Sequence, residues 1–119
     1  NLPKEKIILV PVAHTEGKFV FPQSQEQEML RKMEETDMIV FKYVDPDGNY
    51  AGYPWNPNGS LDNIAGICNA EGNIFGMMPH PERVFYHYQH PDWTRKSARK
   101  DGDGKVIFES VLEYVTKTF

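Results

Sequence analysis

A single cysteine, Cys68, is the whole thiol content of these 119 residues. No disulfide framework is possible within the chain, which fits a reducing compartment and sets the expectation of a cytoplasmic protein. No apolar run approaches the ~20 residues needed to span a bilayer as a helix. The first residues, Asn1-Leu2-Pro3-Lys4-Glu5-Lys6, lack the apolar core of a secretion signal. An initiator methionine is also missing, which points to a processed product or a piece of something longer. Excess positive charge is absent too. The net charge is −4, so no broad basic surface is implied and nucleic acid is a poor expected partner. The one basic cluster, Arg95, Lys96, Arg99, Lys100 and Lys105, is interleaved with Asp92, Asp101 and Asp103 and reads as a solvated loop.

What the chain does contain is enough for one small core. Hydrophobic residues make up 39% and aromatics 13%, a balance that argues for order and against a disordered segment. At this length one domain is affordable and two are not. Ile7–Ala13 is a continuous apolar run rich in β-branched residues and is predicted as a central strand buried on both faces. Phe19–Phe21 reads as a short extended piece closed by Pro22. Ser24 and Gln27 have capping-box spacing, predicting a helix from Ser24 to Glu35 with Met29, Leu30 and Met33 inward. Met38–Val44 is the next predicted strand, and Asp45-Pro46-Asp47-Gly48-Asn49 is a strong turn signal. Two further strands, Ile64–Cys68 and Asn73–Met78, flank Asn69-Ala70-Glu71-Gly72 as a hairpin. Val106, Ile107, Val111, Leu112 and Val115 carry helical spacing toward the end. The order strand, helix, strand, hairpin, helix gives an α/β layer with mixed strand direction, in which too few elements are present to cover both faces of a sheet.

The most informative residues are Met78-Pro79-His80-Pro81-Glu82-Arg83. They follow a predicted strand, and open α/β sheets build their sites at the carboxyl ends of strands. Each proline fixes its own φ and biases the residue before it toward extended geometry. An extended tripeptide sends side chains i and i+2 the same way. Glu82 then lies beside His80, engages one ring nitrogen and leaves the other for a nucleophile. Arg83 reads as an ion-pair partner for Glu82. His87 and His90, three apart with no cysteine between them, do not suggest a zinc site, and no metal is expected.

Three motifs in order, Val12-Ala13-His14-Thr15-Glu16-Gly17-Lys18-Phe19, Asn56-Pro57-Asn58-Gly59-Ser60 running on through Ile64–Asn69, and Gly76–Arg83, carry a family resemblance. Together they closely resemble the glutaminase subunit of phosphoribosylformylglycinamidine synthase, a class I, triad-type glutamine amidotransferase. The likeness runs from about Ile7 to the last helix. It departs at Thr15, where the family usually has glycine, and over residues 86–105, which look longer than in many relatives. The resemblance implies a flavodoxin-like α/β fold with a mixed sheet and flanking helices. It also implies that residues 1–119 are a single partial domain, the C-terminal half. The N-terminal half, with the nucleophile elbow and the matching oxyanion-hole segment, is absent.

What the resemblance implies chemically is hydrolysis of the glutamine side-chain amide. His80 and Glu82 would be the base and orienting carboxylate of a Cys-His-Glu triad. The ammonia would go to a synthetase that converts formylglycinamide ribonucleotide to the amidine. No cofactor is expected in this domain, whereas ATP and Mg²⁺ are expected in the synthetase. The implied partners are the N-terminal half, the synthetase and glutamine, with no nucleic acid and no membrane. Alone, the chain would be inactive. Gly66-Ile67-Cys68-Asn69 imitates a nucleophile elbow, but a turn follows it where an elbow needs a helix, so Cys68 reads as a structural thiol.

His14, Thr15 and Glu16 end the first predicted strand and either border the glutamine pocket, face the synthetase or form a satisfied loop cluster. Asn56, Asn58 and Ser60 are either a turn held by its own side chains or a docking loop. Tyr50, Tyr53 and Trp55, and likewise Phe85, Tyr86 and Tyr88, are read as packing residues or as a partner patch. The alternative function is a non-catalytic half-domain that only docks on or assembles with a synthetase.

Overall fold

The computed structural model describes residues 5–13, 15–95 and 100–119. The chain falls into two compact units, divided after Ala13 and after Met78. The middle stretch forms one unit; the first residues and those from Pro79 onward form the other.

The middle unit is built on a sheet of β1 (Ile39–Lys42), β2 (Ile64–Cys68) and β3 (Phe75–Met77), in the order β1-β2-β3. Both pairings are antiparallel. The predicted β2–β3 hairpin forms, and its register sets Cys68 opposite Phe75 and Gly66 opposite Met77. Asn69 makes its loop: the Oδ1 accepts from the backbone N–H of Asn73 and Ile74, and Gly72 takes φ 69°. An Asx-type bond that closes a turn in this way is the reason asparagine favours such positions. Gly66 is a close-approach position, since a Cβ there would stand 3.1 Å from Met77 Cβ and 3.2 Å from a Phe41 ring carbon. Ile64, Ala65, Tyr43 and Met33 are buried in this unit.

Helix α1 (Glu26–Glu35) starts two residues after the expected Ser24. Residues 23–25 form a turn, closed by the Gln25 N–H on the Pro22 carbonyl, so Gln25 is the N-cap and makes no side-chain cap. Glu26 and Glu28 in the first turn complement the helix dipole in place of the expected capping box. Met33 is buried and Met29 and Leu30 half-buried, as the spacing predicts.

The Ile7–Ala13 run is the main correction. No strand forms over these residues, and Ile7, Leu9 and Val12 are exposed rather than buried on two faces. A central strand needs hydrogen-bonding neighbours on both edges, and the described residues provide it with none. Its backbone is held at two isolated points, by Asp103 Oδ2 on the Leu9 N–H and by the His80 N–H on the Pro11 carbonyl. The mixed strand direction depended on that run, so the sheet that does form is antiparallel throughout. The α/β class, with two helices, stands.

Helix α2 (Lys105–Thr118) belongs to the second unit. Ile107 is buried and Phe85 meets Phe108 edge-on at 5.5 Å between ring centroids. Val84 is 1% exposed, and burial of such a side chain contributes about 1.5–3 kcal/mol. Of the rest of the predicted apolar stripe, Val106 is half-buried and Val111, Leu112 and Val115 lie open.

Candidate active site

His80 and Glu82 come together as the sequence implies, by a different backbone route. His80 has φ −107° and ψ 87° and caps a 3₁₀ turn, Pro81–Val84, closed by the Arg83 N–H on the His80 carbonyl. Pro81 occupies the first position of that turn, where its fixed φ is pre-set and its missing N–H costs nothing. The pair therefore rests on a cap and the first turn, not on an extended tripeptide. His80 Nδ1 stands 2.8 Å from Glu82 Oε1. An ionised carboxylate only accepts, so Nδ1 carries the hydrogen and Nε2 is left with the free lone pair of a base.

The same carboxyl oxygen lies 3.8 Å from Arg83 Nε, the ion pair expected of Arg83. Glu82 is held below the usual carboxylate range, first by its own backbone N–H, then by the His80 ring and the Arg83 charge. Its side chain is 56% exposed and that of His80 34%, so water screens the pair. The turn is further tied by Gln89, whose Oε1 accepts from the Tyr86 N–H at 2.8 Å and whose Nε2 reaches the Glu82 carbonyl at 3.4 Å. Sequence reasoning passed over Gln89. Its only signal was glutamine three residues after Tyr86, capping-box spacing without the usual serine or threonine.

The other candidate residues are placed separately. His14 lies outside the described residues. Thr15 and Glu16 sit in an exposed bend. Asn56 and Ser60 are 5% and 4% exposed and are bonded to each other: Asn56 Oδ1 accepts from the Ser60 N–H at 2.9 Å, and Asn56 Nδ2 donates to the Ser60 carbonyl at 3.0 Å. The amide also donates to Asn63 Oδ1 at 2.6 Å, and Ser60 Oγ accepts from the Phe19 N–H at 3.0 Å. These side chains hold the segment's shape; Asn58 is half-buried beside them. Tyr50, Tyr53, Trp55, Tyr86 and Tyr88 are exposed rather than buried, although Tyr86 stacks on Tyr88 at 5.3 Å between ring centroids, while Phe85 packs on α2.

Cys68 ends β2, is half-buried, and directs its thiol at the Asp37 carbonyl at 3.7 Å. The hairpin loop follows it, where a nucleophile elbow would lead into a helix. His90 Nδ1 accepts from the Asp92 N–H at 3.1 Å, which occupies one of its two possible ligand atoms. The described residues contain no group of three or more histidine, cysteine, aspartate or glutamate side chains able to hold a metal ion, and no helix long and apolar enough to cross a membrane.

Residues 2–115 match the CobB/CobQ-like glutamine amidotransferase domain. The chain is similar to phosphoribosylformylglycinamidine synthase subunit PurQ of Archaeoglobus fulgidus, at 54% identity over 119 residues that cover 98% of this chain and 41% of the relative. The subunit of the same name from Picrophilus torridus is 52% identical over 99 residues, covering 83% of this chain and 38% of the relative. That of Methanosarcina acetivorans is 42% identical over 116 residues, covering 98% and 44%. The chain thus spans about two fifths of the length of these relatives.

Proposed function

The chain belongs to the CobB/CobQ-like glutamine amidotransferase domain family, and we propose that it is the part of a phosphoribosylformylglycinamidine synthase glutaminase that carries the base and the orienting carboxylate. The observation that carries this reading is the His80 Nδ1 to Glu82 Oε1 contact of 2.8 Å in a chain of this family.

In the proposed reaction a cysteine thiol, supplied by the portion of the family domain that this chain does not span, gives its proton to His80 Nε2. The thiolate attacks the glutamine amide carbon. His80 returns the proton to the nitrogen, the C–N bond breaks, and ammonia leaves a thioester behind. Water, deprotonated by His80, adds to the thioester; the C–S bond breaks and glutamate is released with the thiol restored. Glu82 fixes the ring tautomer throughout and stabilises the imidazolium. Ammonia passes to a synthetase, which uses ATP with Mg²⁺ to make formylglycinamidine ribonucleotide in cytoplasmic purine synthesis.

The missing part of the domain is also the proposed cover for apolar surface. In one unit Leu112 of α2 is 66% exposed and Ile7 and Leu9 lie open; in the other Val40 and Ile74 do. His14, Thr15 and Glu16 are proposed as pocket or synthetase contacts, and the segment that Asn56 and Ser60 hold in shape, Asn58 included, as a docking loop.

The test is ammonia release from glutamine by the intact glutaminase polypeptide with its synthetase. His80→Asn is expected to abolish it, and Cys68→Ser to leave it. Activity surviving His80→Asn would remove the proposed role and leave a half-domain that only docks.

A further inference from the structure

We propose that the segment Asp101-Gly102-Asp103-Gly104 is the positioning device for the His80–Glu82 pair, an inference that rests on the glutaminase reading above. All the residues concerned lie in one compact unit. The segment grips the turn that bears the pair from its inner side. The Gly102 N–H donates to the Phe85 carbonyl and the Gly104 N–H to the Val84 carbonyl, each at 3.0 Å. Both glycines are buried. A Cβ on Gly102 would stand 1.9 Å from the Val84 carbonyl oxygen, and one on Gly104 would stand 2.1 Å from the Pro81 carbonyl oxygen and 2.9 Å from Pro81 Cα. Gly104 has φ −74° and ψ −21°, a conformation open to every residue, so glycine is required for space and not for backbone freedom. The atoms it must clear belong to the residue between His80 and Glu82.

Asp103, between the two glycines, holds the other side of His80. Its Oδ2 accepts from the Leu9 N–H at 3.0 Å, and two residues on the Pro11 carbonyl accepts from the His80 N–H at 2.8 Å. Asp101 makes an isolated β-bridge with Tyr86 and pairs with Lys105 at 2.9 Å, which fixes the segment to the first turn of α2. One four-residue segment thus references the histidine's backbone through the Leu9–Pro11 strip and the glutamate's through the 3₁₀ turn. A pair exposed to water has little packing of its own to hold a 2.8 Å contact, so its geometry is set by this backbone support. These are positioning residues; none touches the reacting atoms.

The experiment uses the intact glutaminase with its synthetase partner. Gly104→Ala pushes Pro81 outward and is expected to lower kcat for glutamine roughly 100-fold, the scale of a 1 Å misplacement, with KM moving less than about threefold. The His80 ring, observed by ¹⁵N NMR, is expected to lose its enforced Nδ1–H form, which packing alone would not move. Combined with Glu82→Gln, Gly104→Ala is expected to add little, because both changes break one contact. Asp103→Ala is expected to act in the same direction more weakly, and Asp103→Asn, which keeps an acceptor oxygen for the Leu9 N–H, to restore activity. If Gly104→Ala does not fold, the Asp103 pair decides. Wild-type kcat and an intact Nδ1–H signal in folded Gly104→Ala, or in Asp103→Ala, overturn the proposal. His80→Asn separates the two levels: full activity in it removes the glutaminase reading itself, whereas an inactive His80→Asn beside unaffected Gly104→Ala and Asp103→Ala removes only the positioning role.

Discussion

Replacing Asn56 by alanine tests whether the Asn56–Ser60 segment is held by its own side chains. Three hydrogen bonds end on the Asn56 amide. The Ser60 N–H has Asn56 Oδ1 as its partner, and with Ser60 4% exposed it would be stranded by the change. A buried donor left without an acceptor costs about 1–3 kcal/mol. The Ser60 carbonyl keeps the Asn63 N–H as a second donor, so losing the Nδ2 bond to it costs only the net worth of one hydrogen bond, about 0.5–1.5 kcal/mol. The bond to Asn63 Oδ1 is worth a similar amount. Allowing for a water that enters the space, Asn56→Ala should destabilise the protein by about 3 kcal/mol. With a urea m-value of about 1.5 kcal/mol/M, the midpoint falls by about 2 M at unchanged m. Trp55 is the adjacent probe, read by fluorescence in a Trp93→Phe background. Asn56→Asp keeps the acceptor for Ser60 but turns two donors into acceptors facing oxygen, so it should cost at least as much at neutral pH and less in acid. An Asn56→Ala midpoint within about 0.3 M of the parent would mean that solvent replaces the amide, and the argument from burial would fail.

The depressed Glu82 carboxyl makes the His80 contact persistent in acid. Its contribution to folding is present above the ordinary value of 4.5 and is lost as pH falls through the lower folded value; a ¹³C titration of the Glu82 carboxyl centred at or above 4.5 would contradict this. Burial pulls the Lys42 ammonium down, but its hydrogen bond and charge contact with Asp62 outweigh that and raise it above 10.5. The pair's contribution is therefore full below that value and is lost as pH rises through the folded one. Lys42→Met should cost about 1 kcal/mol near neutrality and lose its effect in strong alkali; a cost that does not shrink with rising pH would refute the pairing. Cys68→Ser should leave glutamine hydrolysis by the intact enzyme within about twofold, measured as ammonia release, and a loss of activity would reinstate Cys68 as a nucleophile.

How much of the fold was legible depended on the range of the contacts. The Asn69–Gly72 turn, the strand pair it joins, and helix α2 were readable because neighbouring residues decide them. The start of α1 was not, because the Gln25 N–H closes on Pro22 before Ser24 can act as a cap. The Ile7–Ala13 run shows the limit most plainly. Its β-branched composition reports that it suits a buried strand, but a strand exists only where another edge bonds to it. The site divides in the same way. His80 and Glu82 stood out as a candidate pair through the three motifs of the resemblance, and Pro81 does stand in the turn that brings them together. The form of that approach, a capped 3₁₀ turn, was misread because proline at the first turn position and an extended proline segment have the same sequence signature. Gly102 and Gly104 could be read as a turn before a helix, while the carbonyls they must clear could not be read at all.

The sequence by itself determined the family, the hairpin, and His80 and Glu82 as the candidate pair, since each rests on residue types in short motifs of fixed spacing. Tertiary structure alone decided the partners that are far apart along the chain: Asp103 on Leu9, the Pro11 carbonyl on His80, and the glycines beneath Pro81 and Val84. The physical reason is that local propensity is fixed by a few neighbouring dihedrals and side chains, whereas a close approach between distant segments is set by how their backbones pack, which no short window of residues encodes.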